Sequence, residues 1–418
     1  MTFAGKLVVD QDTLATGKVR MDYSIAAESL VHDADGLVFD VHSLYAHLLE
    51  IADRRKERGC RYTLALILLL IVLAKMGGED KPKGIADWAR TRAALFVKVF
   101  GLSRPTLPCA NTYRHTLGQL IAAEDLEAHV QRFLAQLPGP GRGEQIALDG
   151  KTLRGTIPTG DSQGLHLLAA YGPAHSLVLK QVVVDGKENE ISAAPRVLES
   201  LDLQGKVVSG DAMFAQRDLS QQVVAAGGDY VWTVKDNQPQ LRGDIEELFT
   251  PTVPLSKGFN TGPTDFRRAQ TINLGHGRIE KRTLTASSQL QGLSDWPGLA
   301  QVFRVERQTE LVAPGKTRGE VGYGGTSLSP QAAPAGRLLQ LVRQHWGIEN
   351  GLHYRRDVTF HEDAGRTKNW NLAQAFAVIH NLVLALLTQA GHTNLAQARR
   401  HYSAHPDQAL RLLCAAPT

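Results

Sequence analysis

The stretch from residue 145 to 236 constrains the fold more than any other part of the chain. Three short apolar runs, QIALDG (145–150), LHLLAAYG (165–172) and SLVLKQVVVD (176–185), follow one another with Gly, Pro or Asp at their ends. They are too short and too sharply punctuated for helices, so they read as three successive strands. The texture then alternates. A helix carried by RVLESL, with Pro195 in its first turns, precedes a strand KVVSGD (206–211); a helix QRDLSQQVVAAGG precedes a strand YVWTVKD (230–236). The order β-β-β-α-β-α-β calls for a sheet with helices packed on it, an α/β domain.

The rest of the chain is arranged around that segment. Residues 1–24 show no clear period and are read as an N-terminal tail. Residues 25–137 are read as an all-α domain, helical in period from Phe39 and broken at Gly59, Gly77 to Gly78 and Ser103 to Pro108. PGPGRG (138–143) stops regular structure, so 138–145 is read as a linker and 146–236 as the first part of the core. Alternating stretches such as TINLGHGRIEKRTLTAS and QVFRVERQTELV make 237–330 a β-rich insertion. Helical period returns in GRLLQLVRQHWGIEN and NLAQAFAVIHNLVLALLTQA, the second apolar on nearly every side and so read as buried; 331–390 is the second part of the core, and 391–418 a helical tail.

Composition narrows the partners. The chain has 418 residues, 43% of them apolar, enough for more than one core, and 46 Lys and Arg against 42 Asp and Glu leave a net charge of only +4. A nucleic-acid partner would have to be met by a local basic surface. Cys60, Cys109 and Cys414 are far apart and odd in number, which fits no disulfide framework and points to a reducing, cytoplasmic compartment. MTFAGKLVVDQDT is not a secretory leader, and TLALILLLIVLA (63–74) is too short to span a bilayer, so no membrane role is expected and the latter is read as a buried helix.

Two acids stand where strands end: Asp149 in QIALD and Asp211 in KVVSGD. With the first and fourth strands as neighbours, both carboxylates leave the same sheet edge, and Glu349 in HWGIEN can join them from a helix. Hard divalent cations take such oxygen ligands. Singly, each Asp is ordinary turn chemistry; the joint arrangement is what suggests catalysis. The strand order is that of an RNase H-like core.

The sequence also resembles a known family, the ISAs-type insertion-sequence transposases or H-repeat-associated proteins, within the DDE transposases. The motifs are IALDGKTLRG (146–155), KENEISAAPRVLESLDLQGKVVSGDAMFAQ (187–216), YVWTVKDNQPQL (230–241), HGRIEKR (276–282) and HWGIENGLHYRRDVTFHEDAGR (345–366). The resemblance implies DNA cleavage and strand transfer at the ends of a bacterial insertion sequence by a DDE mechanism. Its acidic triad falls on Asp149, Asp211 and Glu349, with two Mg²⁺ or Mn²⁺ ions. The partner is double-stranded DNA, both terminal inverted repeats and target, met by a homodimer on the DNA. Related transposases place a Tyr seven and an Arg four residues before the catalytic Glu and a Lys or Arg seven after. Here these positions hold Val342, His345 and Arg356, and only the last fits, so a hairpin-ended intermediate is not implied. A non-catalytic DNA-binding derivative and a structure-selective RNase H-like nuclease are the alternatives.

Around the triad, Lys151, Arg154, Lys235, Asn237, Gln238, Arg343, His345 and Arg356 are the expected DNA-binding residues, although surface Lys and Arg cannot be told from phosphate ligands by type. Asp357, Glu362 and Asp363 are read as orienting or helix-capping groups. His345, His353 and His361 recur every eight residues, but the interval crosses a helix-to-loop change and no Cys joins them, so zinc is not expected. Trp232, Trp346 and Trp370 are read as packing residues. In the N-terminal domain, LPCANTYRHTLGQL (107–120) is read as a helix that could meet DNA through Arg114, and RRKERGCR (54–61) as a solvated basic patch.

Overall fold

The computed structural model describes residues 30–32, 37–56, 60–185, 188–250, 265–275, 277–311 and 317–417. The expected tail 1–24, the break at Gly59, Lys187 and His276 of the family-like motifs, and residues 57–59 of the basic patch lie outside the described residues. The chain divides into two compact units, Met1–Leu137 with Ala396–Thr418, and Pro138–Leu395.

The first unit is built on the helix Leu64–Met76, every residue of which is buried. An apolar run with no polar face is stable in water only when packed all round. Thr63 caps it by accepting from the Leu66 N–H at 3.3 Å. Its one charged side chain, Lys75, is buried against Asp80 at 3.3 Å, and Arg399 reaches the same Asp80 at 2.6 Å. Arg92 donates to the Ser403 carbonyl at 2.6 Å, so the C-terminal residues are fastened into this unit. The unit also departs from all-α: β1 (Leu30–His32) and β2 (Val38–Asp40) form an antiparallel pair. Three-residue strands are too short to show a period, and this one is held by Phe39 packing edge-on to Tyr45.

The second unit holds a nine-stranded sheet in the order β5-β4-β3-β6-β7-β11-β10-β9-β8. The strands are β3 (Gln145–Thr152), β4 (His166–Gly172), β5 (Leu177–Val184), β6 (Val207–Gly210), β7 (Asp229–Val234), β8 (Arg267–Gly275), β9 (Arg278–Ser287), β10 (Gln301–Leu311) and β11 (Thr317–Thr326). β3, β4 and β5 are antiparallel, while β6 lies parallel to β3 and β7 parallel to β6. Side chains alternate across the sheet. Ile146, Val208, Tyr230 and Trp232 pack with the helices Glu190–Glu199, Arg217–Ala225 and Pro239–Phe249. Val207, Val231 and Phe303 pack on the opposite face with the helix Ala335–His345, and Leu165 and Leu167 with Ala373 and Ala377 of the helix Trp370–Gln389.

That last helix is long and apolar enough to cross a membrane, yet 78% of its apolar window is buried inside the structure. The expected β-rich insertion differs in two ways. It opens with a helix, Pro239–Phe249, whose Pro suits a first helical turn. Its four strands also continue the core sheet, because β11 pairs antiparallel with β7 from Tyr323↔Val234 to Thr326↔Val231. Trp232 is buried with its indole N–H donating to Ser220 Oγ at 3.0 Å. Trp346 and Trp370 are instead 58% and 48% exposed, a correction explained by their positions at helix ends.

Candidate active site

The parallel pairing of β3 and β6 sets the first two acids side by side. Leu148 is opposite Gly210, so the next residue on each strand is an Asp. Asp149 does not end its strand, as the sequence suggested. β3 runs on to Thr152, with Asp149 paired opposite Ala169 of β4. Asp211 does leave its strand, into a single turn of 3₁₀ helix at Ala212–Phe214. Gly210 is required there, since a Cβ would stand 2.7 Å from the Phe214 ring. Asn237 Nδ2 donates to the Ala212 carbonyl at 2.6 Å and Gln238 Nε2 to the Ala215 carbonyl at 2.9 Å. These two amides brace the turn that follows Asp211.

The third acid comes from beyond the helix Ala335–His345, where the backbone loosens into two π-helical turns, Glu349–His353 and Arg355–Thr359. Such turns are rare and concentrate at functional sites. Glu349 and His353 are four residues apart and share one helical face. Asp149, Glu349 and His353 each bring a ligand atom within 4.8 Å of the others. His353 Nδ1 is 3.4 Å from Asp149 Oδ2 and 3.8 Å from Glu349 Oε2. Asp211 sits with His345, whose Nε2 is 3.7 Å from Oδ1, an ion-pair distance longer than a hydrogen bond. The other His345 nitrogen is 3.2 Å from Ser209 Oγ.

The two Asp residues are electrostatic opposites. Burial, then the negative charges of Glu349 and Glu190, push Asp149 up to about 8, against the pull of the Gly150 N–H. Asp211 is held below its ordinary value by His345, in spite of partial burial, with help from the charge of Lys235. Burial, reinforced by Arg356 and Lys151, lowers His353 to about 3, so its ring is neutral.

Glu190 had not been singled out from the sequence. Its Oε1 is 2.9 Å from His166 Nε2, and a Cβ on residue 150 would run into its carboxylate, so Gly150 is what lets a further acid lie beside Asp149. His353 had been grouped by an eight-residue interval; the four-residue spacing from Glu349 was the informative one.

The expected DNA-binding residues divide. Arg356 is corrected: it is 1% exposed, its guanidinium donates to both Glu362 oxygens and, at 2.9 Å, to Gln181 Oε1, and it faces no solvent. Lys151 is corrected in the same sense, being 9% exposed and paired with Asp357 at 2.8 Å and Asp363 at 3.5 Å. A buried cation must be paired, and the Lys151 partners lie far away in sequence, whereas Glu362 is six residues from Arg356. Arg154 and Lys235 are exposed and Arg343 is half-buried. Arg114, in the first unit, is exposed and bonded to Asn111 at 2.8 Å.

An α/β sheet that sets carboxylates side by side on adjoining parallel strands, with hard oxygen donors and no lysine or arginine bonded to Asp149 among the described residues, fits the class of enzymes that work through a bound divalent cation. The Transposase DDE domain family matches residues 140–386, and a domain described as DDE_Tnp_1-associated matches 45–134. Protein YbfL of Escherichia coli (strain K12) is 30% identical over 356 residues, 84% of this chain and 91% of that one. The H repeat-associated protein YhhI of the same strain is 29% identical over 356 residues, again 84% and 91%. The chain belongs to the DDE transposases, among the ISAs-type, H-repeat-associated proteins. It is an insertion-sequence transposase, a polynucleotidyl transferase and endonuclease that acts on DNA with a divalent metal.

Proposed function

We infer that Asp149, Asp211 and Glu349 are the catalytic acids, that together they hold two Mg²⁺ or Mn²⁺ ions, and that the core carrying them is RNase H-like. Support for the core is the three-strand antiparallel meander β3 to β5 followed by the parallel β6 and β7, with helices between. The observation that carries the site is Asp149 brought against Glu349 and His353 in a half-buried setting. Its carboxyl is pushed up to about 8 by burial and by the charges of Glu349 and Glu190, which a bound cation would offset.

When bound, divalent cations supply Lewis acidity at the attacking and leaving oxygens of an in-line displacement at phosphorus. The chain's own residues supply placement. His345 keeps Asp211 ionised, Asn237 and Gln238 fix its turn, and the Glu349 turn closes the site from the side. Exposed Arg154 and Lys235, with Arg343, receive phosphates. In the first displacement water opens the phosphodiester at the element end, leaving a 3′-hydroxyl and a 5′-phosphate. In the second, that hydroxyl attacks a target phosphodiester, forming one ester as another breaks, with no covalent protein intermediate.

The partners are terminal inverted repeats and target DNA, engaged by a homodimer. Residues 25–137 recognise the ends through the segment bearing Arg114, the linker at 138–145 joins them to the core, and the reaction takes place in the cytoplasm.

The test is joining of a labelled terminal-repeat end into plasmid DNA. Asp149→Ala, Asp211→Ala and Glu349→Ala should each lower cleavage and joining by about 10⁴-fold or more, the scale of losing one member of a catalytic unit. End binding should persist. Near-normal activity in any variant removes that acid from the triad, and cleavage without joining by the wild type would make the protein a nuclease.

A further inference from the structure

The acids leave His353 without a task. Its side chain is 8% exposed, and Nδ1 is aimed between Asp149 Oδ2 and Glu349 Oε2 at 3.4 and 3.8 Å. Neither separation is a hydrogen bond, for which N to O distances run about 2.7–3.2 Å. The other nitrogen, Nε2, is buried and has no hydrogen-bond partner among the described residues. A buried imidazole with neither nitrogen properly satisfied is costly and calls for an explanation.

For Nδ1 the spacing supplies one. Donor atoms sharing one cation at about 2.1 Å stand about 3.0 Å apart at right angles and about 4.2 Å apart across the ion. The Asp149, Glu349 and His353 atoms, all within 4.8 Å of each other, come close to that pattern before any ion draws them in. We propose that His353 is a nitrogen ligand of the cation that Asp149 and Glu349 hold, its Nδ1 completing a mixed oxygen and nitrogen site. This rests on the carboxylate assignment above. An imidazole donor favours transition ions over Mg²⁺, which makes Mn²⁺ both the better-bound ion and the natural probe.

The experiment loads the full chain with Mn²⁺ and records pulsed electron paramagnetic resonance, which detects coupling to a directly bonded ¹⁴N, alongside a Mn²⁺ binding titration. The wild type should show that coupling. His353→Gln should lose it and bind Mn²⁺ at least about tenfold more weakly. His345→Gln, which removes the imidazole beside Asp211, should keep it. A wild-type spectrum with oxygen ligands alone overturns the inference, so a variant that fails to fold cannot shelter it. A coupling undiminished in His353→Gln overturns it as well. Both results leave the carboxylate site standing if Asp149→Asn still weakens Mn²⁺ binding. Indifference of Mn²⁺ binding to Asp149→Asn would bring down the carboxylate site and the nitrogen ligand together.

Discussion

Glu362 and Asp149 are both carboxylates sunk into the second unit beside the segment that follows Glu349, and the chain treats them in opposite ways. Glu362 is 5% exposed at its side chain and surrounded by built-in donors: Arg356 through Nε and Nη2 at 2.9 to 3.1 Å, and His380 Nδ1 at 2.9 Å. Burial alone would raise it, but the Arg356 charge and then the His380 bond override that and hold Glu362 well below the usual carboxylate range. Asp149 has more acids as neighbours and is pushed up to about 8. One negative charge comes with its cation in the sequence, while the other has, among the described residues, the Gly150 N–H, a neutral His353 and further acids beside it. The first arrangement is structural, and the second suits a cation from solution.

The comparison breaks first at Arg356. If Glu362 depends on it, Arg356→Ala leaves a buried charge uncompensated and should cost about 3–5 kcal/mol of stability. Chemical denaturation of wild type and variant measures it. The pH dependence has a fixed sign. Because the folded-state value of Glu362 is depressed, its contribution is present above the unfolded value of 4.5 and is lost as pH falls below that. Glu362→Gln should therefore flatten the acid limb of the stability curve. A loss under about 1 kcal/mol for Arg356→Ala would place its guanidinium on the surface after all.

Much of this was legible in the sequence, and what was missed has a common cause. The five core strands follow from local punctuation and period, and the fold that their order suggested makes β3 and β6 neighbours, which is why Asp149 and Asp211 could be picked out as a pair. Arg356 could not be placed that way. Its reading as a phosphate ligand was reasonable for an Arg seven residues after Glu349, and what overturned it is burial against Glu362, six positions on, and Gln181, 175 positions away. Lys151 failed likewise, through Asp357, 206 positions on. β8 to β10 fall in the stretches read as alternating and β11 was not singled out, and their joining the core sheet depends on the pairing of β11 with β7, which no local pattern announces. Glu190 stayed hidden because its approach to Asp149 is set by the absence of a side chain at Gly150.

A smaller effect sharpens the comparison from the Asp149 side. A carboxyl raised from 3.8 to about 8 on folding keeps a proton that the unfolded chain gives up. It therefore costs stability, increasingly as pH rises from about 4 to about 8. Asp149→Asn should raise the melting temperature of the metal-free protein at neutral pH, the reverse of what deleting a satisfied buried acid does. Added Mg²⁺ should narrow the gap: at 100 times its dissociation constant, an ion that binds only the folded state adds about 2.7 kcal/mol to the wild type, and the variant should gain much less. Thermal melts in EDTA and in Mg²⁺ decide it. A variant less stable than wild type in EDTA would show that Asp149 is satisfied by the chain itself.

The smallest effect concerns cations that the fold leaves free. Lys235 is exposed at the end of β7, close enough for its charge to act on Asp211, whereas Arg356 is 1% exposed and already spent on Glu362. If Lys235 neutralises a phosphate, Lys235→Ala should reduce the slope of log affinity against log salt by about 0.9 on duplex DNA. The change should be the same on terminal-repeat and random duplexes, because a phosphate contact carries no base information. Arg356→Ala, compared under conditions where it stays folded, should leave the slope as it is in the wild type. Salt titrations of the three proteins on both duplexes make the measurement. A slope that falls for Arg356→Ala and holds for Lys235→Ala would invert the division drawn here between cations that serve the fold and cations that serve the DNA, and would mean that the Arg356–Glu362 pair opens when DNA binds.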